Sequence, residues 1–126
     1  MSNISKAFDH GKAFIGFATA GDPDLEASRR VMLEMARGGC DLIEIGIPFS
    51  DPIAEGPVIQ EADLRALNAG TTTDKVFEMT AKLSAETDVP LVYMTYLNVL
   101  FKYGYEKFLK NAKDCGISGV VVPDLP

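Results

Sequence analysis

Two carboxylates are the residues best suited to chemistry in this chain. Glu44 lies within an apolar run, and Glu55 lies in the proline-rich loop Pro48–Pro57 that follows it. A carboxyl inside a strand loses hydration, which raises its pKa and lets it accept and donate a proton. A second carboxylate nearby could balance charge or accept a hydrogen bond. The alternatives are a buried acid satisfied by a neighbouring strand for Glu44 and a solvated loop charge for Glu55.

Strand geometry predicts the direction in which Glu44 points. Side chains alternate along a strand, so the three isoleucines of Asp41–Ile47 share one face and Glu44 shares the other with Gly46. We expect the isoleucines to pack under helices and Gly46 to leave open space beside the carboxylate. Asp51, in the loop, fits a turn or a helix cap as well as a functional role.

Four short apolar runs predict the strands that position these acids. Their nearly continuous apolar composition is typical of parallel strands covered by helices. Loops after the carboxyl ends of such strands are where α/β proteins place their chemistry. The predicted strands are Phe14–Thr19, Asp41–Ile47, Leu91–Thr95 and Gly119–Val122.

Helical patterns separate the predicted strands and give the order βαβαβαβ. The first pattern, after a short leading helix at Ser2–His10, is capped by Asp24, and the third is capped by Thr73 or Asp74. The second runs from Val58 to Leu67. The predicted buried faces are Leu25, Val31, Met32, Met35 and Ala36 in the first helix, Val76, Phe77, Thr80 and Leu83 in the third, and Tyr105, Phe108, Leu109 and Ala112 in the fourth.

Composition excludes several classes of protein. The chain has 126 residues with 18 acidic and 12 basic side chains, a net charge of −6, which disfavours general attraction to nucleic acid or anionic lipid. No apolar run approaches the roughly 20 residues that cross a bilayer, and we identify no signal peptide. Cys40 and Cys115 form no metal or disulfide motif, so a reducing cytoplasm is the expected compartment.

Motif searches narrow the chemistry further. The sequence has no phosphate-binding loop, no nucleophile elbow and no metal-ligand spacing. It has no lysine at a strand end, which disfavours a Schiff-base aldolase. The Tyr and Met side chains of Tyr93–Phe101 could line a pocket for a flat apolar ring or could form core.

The segment LIEIGIPFSDPIAEGPVIQEADLRAL (Leu42–Leu67) closely resembles the signature of the tryptophan synthase alpha chain family. The segments FATAGDPD, PLVYMTYLNVLFKYG and GVVVPDLP match the family in the same order. The resemblance implies that residues 1–126 are the N-terminal half of a (βα)8 barrel, an α/β fold. It also implies a cytoplasmic lyase of tryptophan biosynthesis that cleaves indole-3-glycerol phosphate to indole and glyceraldehyde 3-phosphate.

The resemblance also implies roles for individual residues. Glu44 would be the acid/base that moves protons between the indole C3 region and the glycerol hydroxyl, and Glu55 the second catalytic carboxylate, facing the indole N–H. Phe17, Met94 and Val121 would line the indole site, and Pro48 and Asp51 would lie in the loop that communicates with the beta chain. The family needs no metal and no cofactor of its own, and pyridoxal phosphate belongs to the beta partner.

Two departures and two alternatives accompany the resemblance. The family usually has aspartate at position 55, so Glu55 adds a methylene. A (βα)8 barrel has about 250 residues, and its usual phosphate site lies after strands seven and eight. One alternative is a non-catalytic half-barrel that self-associates through open sheet edges. The other is a different phosphate-sugar barrel lyase or isomerase.

Overall fold

In the part of the chain that the structure describes, four parallel strands form one sheet in chain order. The computed structural model describes residues 3–51 and 55–126. The strands are β1 (Ile15–Thr19), β2 (Leu42–Gly46), β3 (Leu91–Met94) and β4 (Gly119–Val121). All four predicted strands are confirmed, each shorter by one or two residues than its apolar run.

The described residues form five α-helices, and a short 3₁₀ helix, Asn3–Phe8, precedes β1. This 3₁₀ helix corresponds to the predicted leading helix, whose first residue, Ser2, lies outside the described residues. No helix in the described part of the chain is long and apolar enough to cross a membrane. The helices are α1 (Leu25–Arg37), α2 (Pro57–Asn68), α3 (Thr73–Glu86), α4 (Leu97–Tyr103) and α5 (Tyr105–Asp114).

The helix caps show how the boundaries are set. Asp24 caps α1 as predicted, because its carboxylate accepts a hydrogen bond from the Ala27 N–H at 2.8 Å. The predicted cap of α3 is wrong by one or two residues. The hydroxyl of Thr72 accepts from the Lys75 N–H at 3.3 Å, so Thr73 already occupies the first helical position.

The helix-facing side of the sheet holds the main core. Ile43 and Ile45 of β2 are fully buried there, as the alternation predicts. Tyr93 of β3 belongs to this core too, so it lines no pocket on the inner face. Its ring packs edge-to-face with neighbouring aromatic rings at centroid distances of 5.9 and 6.1 Å, a favoured geometry for aromatic pairs. The aromatic cluster is Phe77, Tyr93, Tyr103 and Phe108.

The predicted helix faces are only partly right. The α3 face is buried as predicted, but Val31 of α1 and Tyr105 and Leu109 of α5 are about half exposed. Each of these helices buries only the side that packs against its neighbours, α3 among them, and the three half-exposed residues belong to neither core cluster.

A second, smaller cluster closes one end of the inner face. Ala7 of the 3₁₀ helix packs against Leu42 and Val92, with Ile4 and Ala13 at the margin. These contacts lie at the amino-terminal ends of the strands. The inner face is therefore covered at that end, and its functional groups lie towards the carboxyl ends.

Phe108 tests the main core, and Phe101 is its matched control. Phe108 is 0% exposed and contacts three other rings, whereas Phe101 is 64% exposed. We expect Phe108→Ala to lower the free energy of unfolding by about 3–5 kcal/mol through lost burial and a residual cavity. Phe101→Ala should cost less than about 1 kcal/mol. Urea denaturation followed by circular dichroism measures both, and equal costs would contradict this core assignment.

Candidate active site

Glu44 lies half-buried on the inner face of the sheet. The parallel register places it opposite Phe17 on β1 and Val92 on β3. Its neighbours along the strand, Ile43 and Ile45, face the helices. The predicted orientation of Glu44 is therefore confirmed, and the packing of two isoleucines on the opposite face fixes it.

The environment of Glu44 favours its protonated form. Burial raises the pKa of the Glu44 carboxyl, and the negative charge of Glu55 raises it further. Among the described residues, no ion pair or hydrogen bond joins Glu44 to another side chain. The alternative of a buried acid satisfied by a neighbouring strand therefore has no support there. Such a carboxyl is suited to both donating and accepting a proton.

The expected open space beside Glu44 is occupied. A Cβ atom at Gly46 would lie 2.5 Å from Cζ of Phe17, so the Phe17 ring leans over the glycine. The absence of a side chain at position 46 lets the neighbouring ring approach the backbone. Because Gly46 has no side chain, the Phe17 ring fills the space next to Glu44 that was expected to be an empty pocket. We call this ring the aromatic wall of the site.

The other two residues assigned to the indole site share this face. Met94 pairs in register with Gly46 and Val121, which places all three at the carboxyl ends of their strands. Met94 is buried, whereas Val121 is 46% exposed because β4 is an edge strand. The structure brings Phe17, Met94 and Val121 to the same surface as Glu44, and their part in binding stays a prediction.

Glu55 is anchored by Tyr96, a residue that the sequence analysis did not single out. The Tyr96 hydroxyl donates a hydrogen bond to the Glu55 carboxylate. Tyr96 is only 2% exposed, and its ring packs 5.5 Å from the ring of Phe49. The Glu55 backbone carbonyl also accepts from Nε2 of Gln60 at 2.8 Å. Glu55 is thus held by contacts from two elements, unlike a freely solvated loop charge.

A third carboxylate, Asp63 on α2, lies behind this loop. It is only 4% exposed, and its pKa is raised to about 6, first by burial and then by the charge of Glu55. The nearby backbone N–H of Phe49 lowers this pKa, and the charge of Asp22 raises it slightly. The sequence held a signal for it, because Asp63 lies on the same helical face as buried Ala62 and Ala66.

The residues assigned to a partner surface lie outside this cluster. Pro48 is buried and lines a cavity of about 350 Å³ together with Phe49, Val99 and Lys102. Asp51 is exposed and accepts a hydrogen bond from the Ser50 hydroxyl at 3.0 Å. Pro52, within the predicted loop, lies outside the described residues. Over residues 3–51 and 55–126, no group of three His, Cys, Asp or Glu side chains could hold a metal ion.

Comparison with known proteins shows which family this chain is similar to in sequence and in structure. The family model of the tryptophan synthase alpha chain matches residues 4–126. The tryptophan synthase alpha chain of Lacticaseibacillus casei is 50% identical over 126 residues, which are 100% of this chain and 47% of that protein. The crystal structure of the alpha chain from Legionella pneumophila superposes with a TM-score of 0.93 at 36% identity, covering 100% of this chain and 49% of that one.

A further structural relative is a complex. The tryptophan synthase complex of Pyrococcus furiosus matches with a TM-score of 0.86 at 39% identity, over 90% of this chain and 47% of that one. The four parallel strands and the match to half of these alpha chains define the class of fold, which is half of a parallel (βα)8 barrel. The chain belongs to the tryptophan synthase alpha chain family. It spans about half the length of the curated relatives that it matches.

Asp63 gives a stability prediction with a defined sign. Its folded-state pKa of about 6 exceeds the ordinary value of 3.8, so the ionised carboxylate costs folding free energy that grows between about pH 4 and pH 6. At pH 7, Asp63→Asn should therefore raise the free energy of unfolding by roughly 1–3 kcal/mol. The gain should vanish below about pH 4.

Urea unfolding at several pH values measures this effect. The control is Asp114→Asn, which changes an exposed acid paired with Lys110 at 3.0 Å, and it should show no such gain. If the free energy of unfolding had the same pH dependence in the parent and in Asp63→Asn, the titration assigned to Asp63 would be wrong.

Proposed function

We propose that residues 1–126 form the N-terminal half of a lyase that cleaves indole-3-glycerol phosphate to indole and glyceraldehyde 3-phosphate. The observation that carries this proposal is the half-buried Glu44, which has no counter-cation among the described residues and faces an aromatic wall on the inner side of the sheet. Family membership supports the same reaction. The relatives are about twice as long, so the proposal concerns this chain as one part of the enzyme.

Glu44 would perform both proton transfers. As an acid, Glu44 gives a proton to C3 of the indole ring. As a carboxylate, it takes the proton from the hydroxyl of the glycerol carbon that is bonded to C3. The bond between C3 and that carbon breaks, and the alcohol carbon becomes the aldehyde of glyceraldehyde 3-phosphate. The raised pKa of Glu44 favours this role, because a proton-shuttling group works best when its pKa lies near the working pH.

Glu55 would stabilise the charge that this transfer creates. Protonation at C3 leaves positive charge on the ring nitrogen, and a carboxylate that accepts the indole N–H hydrogen bond lowers its free energy. The Tyr96 hydroxyl holds one oxygen of Glu55 and leaves the other for the substrate. Phe17, Met94 and Val121 would enclose the flat ring, since they share the inner face with Glu44.

The proposal extends to partner, cofactor and compartment. The similarity to a tryptophan synthase complex supports a beta chain as partner, with Pro48 and Asp51 in the contacting loop. We propose that the reaction needs no cofactor in this chain, because carboxylates suffice for the proton transfers, and that pyridoxal phosphate belongs to the beta chain. A cytoplasmic enzyme fits this assignment.

Glu44→Gln tests the reaction directly. The assay uses a hybrid chain in which residues 1–126 are joined to the second half of the Lacticaseibacillus casei relative. Because general acid/base groups contribute about 10²–10⁴-fold, we expect Glu44→Gln to lower kcat for indole release by at least about 10²-fold. Glu34→Gln, an exposed α1 residue paired with Arg37, is the control and should retain parental turnover. Full turnover in Glu44→Gln would overturn the role of Glu44.

A non-catalytic, self-associating half-barrel is the second candidate, favoured by the open sheet edges. Within the described residues, strands β1 and β4 each pair on one side only, and Phe14 at the β1 edge is 65% exposed and Ile15 49% exposed. Open strands and apolar side chains promote pairing with another chain. Light scattering on residues 1–126 alone should then report a dimer or larger species. A cooperatively melting monomer would count against it.

A further inference from the structure

We propose that Asp124, in the segment after β4, is a positioning residue for Glu55 and acts through Tyr96. The inference rests on the proposed function of Glu55 but concerns a residue to which that function assigns no role. Asp124 is half-buried, and its carboxylate accepts a hydrogen bond from the backbone N–H of Leu97 at 2.9 Å. This bond joins the segment after β4 to the first residue of α4, which directly follows Tyr96.

Two hydrogen bonds to the β4 side hold the backbone before and after Tyr96. Before it, the Thr95 N–H donates to the backbone carbonyl of Val121 at 3.0 Å. After it, the Leu97 N–H donates to the Asp124 carboxylate. The first bond continues the pairing of β3 with β4 and depends on no side chain. The second depends on the side chain at position 124, so a substitution there can remove it.

The bond from Leu97 satisfies a helix end that has no other cap. Leu97 is the first residue of α4, so its N–H has no partner within the helix. Tyr96, at the cap position, makes no side-chain cap, and its hydroxyl donates to Glu55 instead. A carboxylate is a strong acceptor for such an N–H, because charge-assisted hydrogen bonds are the stronger ones. Asp124 thereby fixes the peptide group between Tyr96 and Leu97.

The fixed backbone directs the Tyr96 ring towards Glu55. Tyr96 is only 2% exposed, and its ring packs against the Phe49 ring at a centroid distance of 5.5 Å and an interplanar angle of 32°. The hydroxyl at the far end of the ring donates to the Glu55 carboxylate. Because the ring is rigid, a rotation of the backbone at Tyr96 moves the hydroxyl further than it moves the Cα atom. Loss of the acceptor at Asp124 should therefore displace Glu55.

The first test follows the Tyr96 hydroxyl and needs no catalysis. The hybrid chain is labelled with carbon-13 at the tyrosine Cζ atoms, and the Tyr96 resonance is identified by its loss in Tyr96→Phe. Glu55→Ala gives the chemical shift of Tyr96 without this acceptor. We expect Asp124→Ala to move the resonance towards that value and Asp124→Asn, which keeps an acceptor oxygen, to leave it near that of the parent. An unchanged resonance in Asp124→Ala overturns the proposal.

The second test removes the donor instead of the acceptor. Leu97→Pro deletes the N–H, and proline is tolerated at the first helical position. The extended backbone of Tyr96, with φ −84° and ψ 153°, also suits a residue before proline. Leu97→Ala is the matched control, because it keeps the N–H and removes the side chain.

Kinetics on the hybrid chain compare these variants. Because misplacement by about 1 Å can cost roughly 10²-fold, we expect Leu97→Pro and Asp124→Ala each to lower kcat for indole release by about 10- to 100-fold. The KM should change much less, since Glu55 acts on charge that develops in the transition state. Leu97→Ala should stay close to the parent, as should Asp114→Ala, the control for Asp124→Ala at an exposed acid on α5.

Combining the two changes distinguishes positioning from a general loss of structure. Both remove the same hydrogen bond, so Asp124→Ala together with Leu97→Pro should cost little more than either alone, and losses that multiply overturn the proposal. If Asp124→Ala fails to fold, equal turnover of Leu97→Pro and Leu97→Ala still overturns it. If the hybrid chain releases no indole while the Tyr96 resonance moves in Asp124→Ala, the proposed reaction fails and the positioning of Glu55 by Asp124 stands.

Discussion

The alternation of side chains along β2 is the constraint on which the rest of the structure depends. Ile43 and Ile45 fill the helix-side core, so Glu44 between them must face inward. A register slip of one residue would drive the carboxylate into that core and expose both isoleucines. Burial of the two isoleucines contributes about 3–6 kcal/mol, and slippage would forfeit it. The apolar core therefore holds this carboxyl at a place where none of the described cationic side chains neutralises it.

The aromatic wall beside Glu44 follows from a glycine on the same strand. Gly46 has no Cβ, and the Phe17 ring takes the space that a side chain would fill. An apolar ring near a carboxyl excludes water and disfavours the charged form. Burial is accordingly the largest cause of the raised pKa of Glu44, ahead of the charge on Glu55. The close approach of the Phe17 ring on β1 to Gly46 on β2 therefore shapes the site and contributes to the apolar surroundings that raise the pKa of Glu44.

Local pattern was enough to predict the strands, because β2 and its neighbours are short apolar runs whose period and flanking loops are visible in the sequence. The local sequence pattern could not predict features that depend on contacts between residues far apart in the sequence. Helix α4 was not predicted, since its first N–H, that of Leu97, is bonded to the Asp124 carboxylate at 2.9 Å from beyond β4. The bond between Tyr96 and Glu55 joins two separate loops. Strand alternation and the family resemblance together predicted which residues lie on the inner face. The contacts that hold these residues in place are visible only in the three-dimensional structure.

The electrostatics of this half also indicate which part of the proposed substrate it can hold. Glu44, Glu55 and Asp63 form an acidic group, and the nearby Arg65 is already paired with Asp22. Such a group stabilises positive charge developing on an indole ring but repels a phosphate. The phosphate must therefore be bound by groups other than these acids. Barrel enzymes commonly place them after the last strands, in keeping with relatives that are about twice as long as this chain. On the proposed reaction, proton transfer and anion binding are thus divided between the two halves of one barrel.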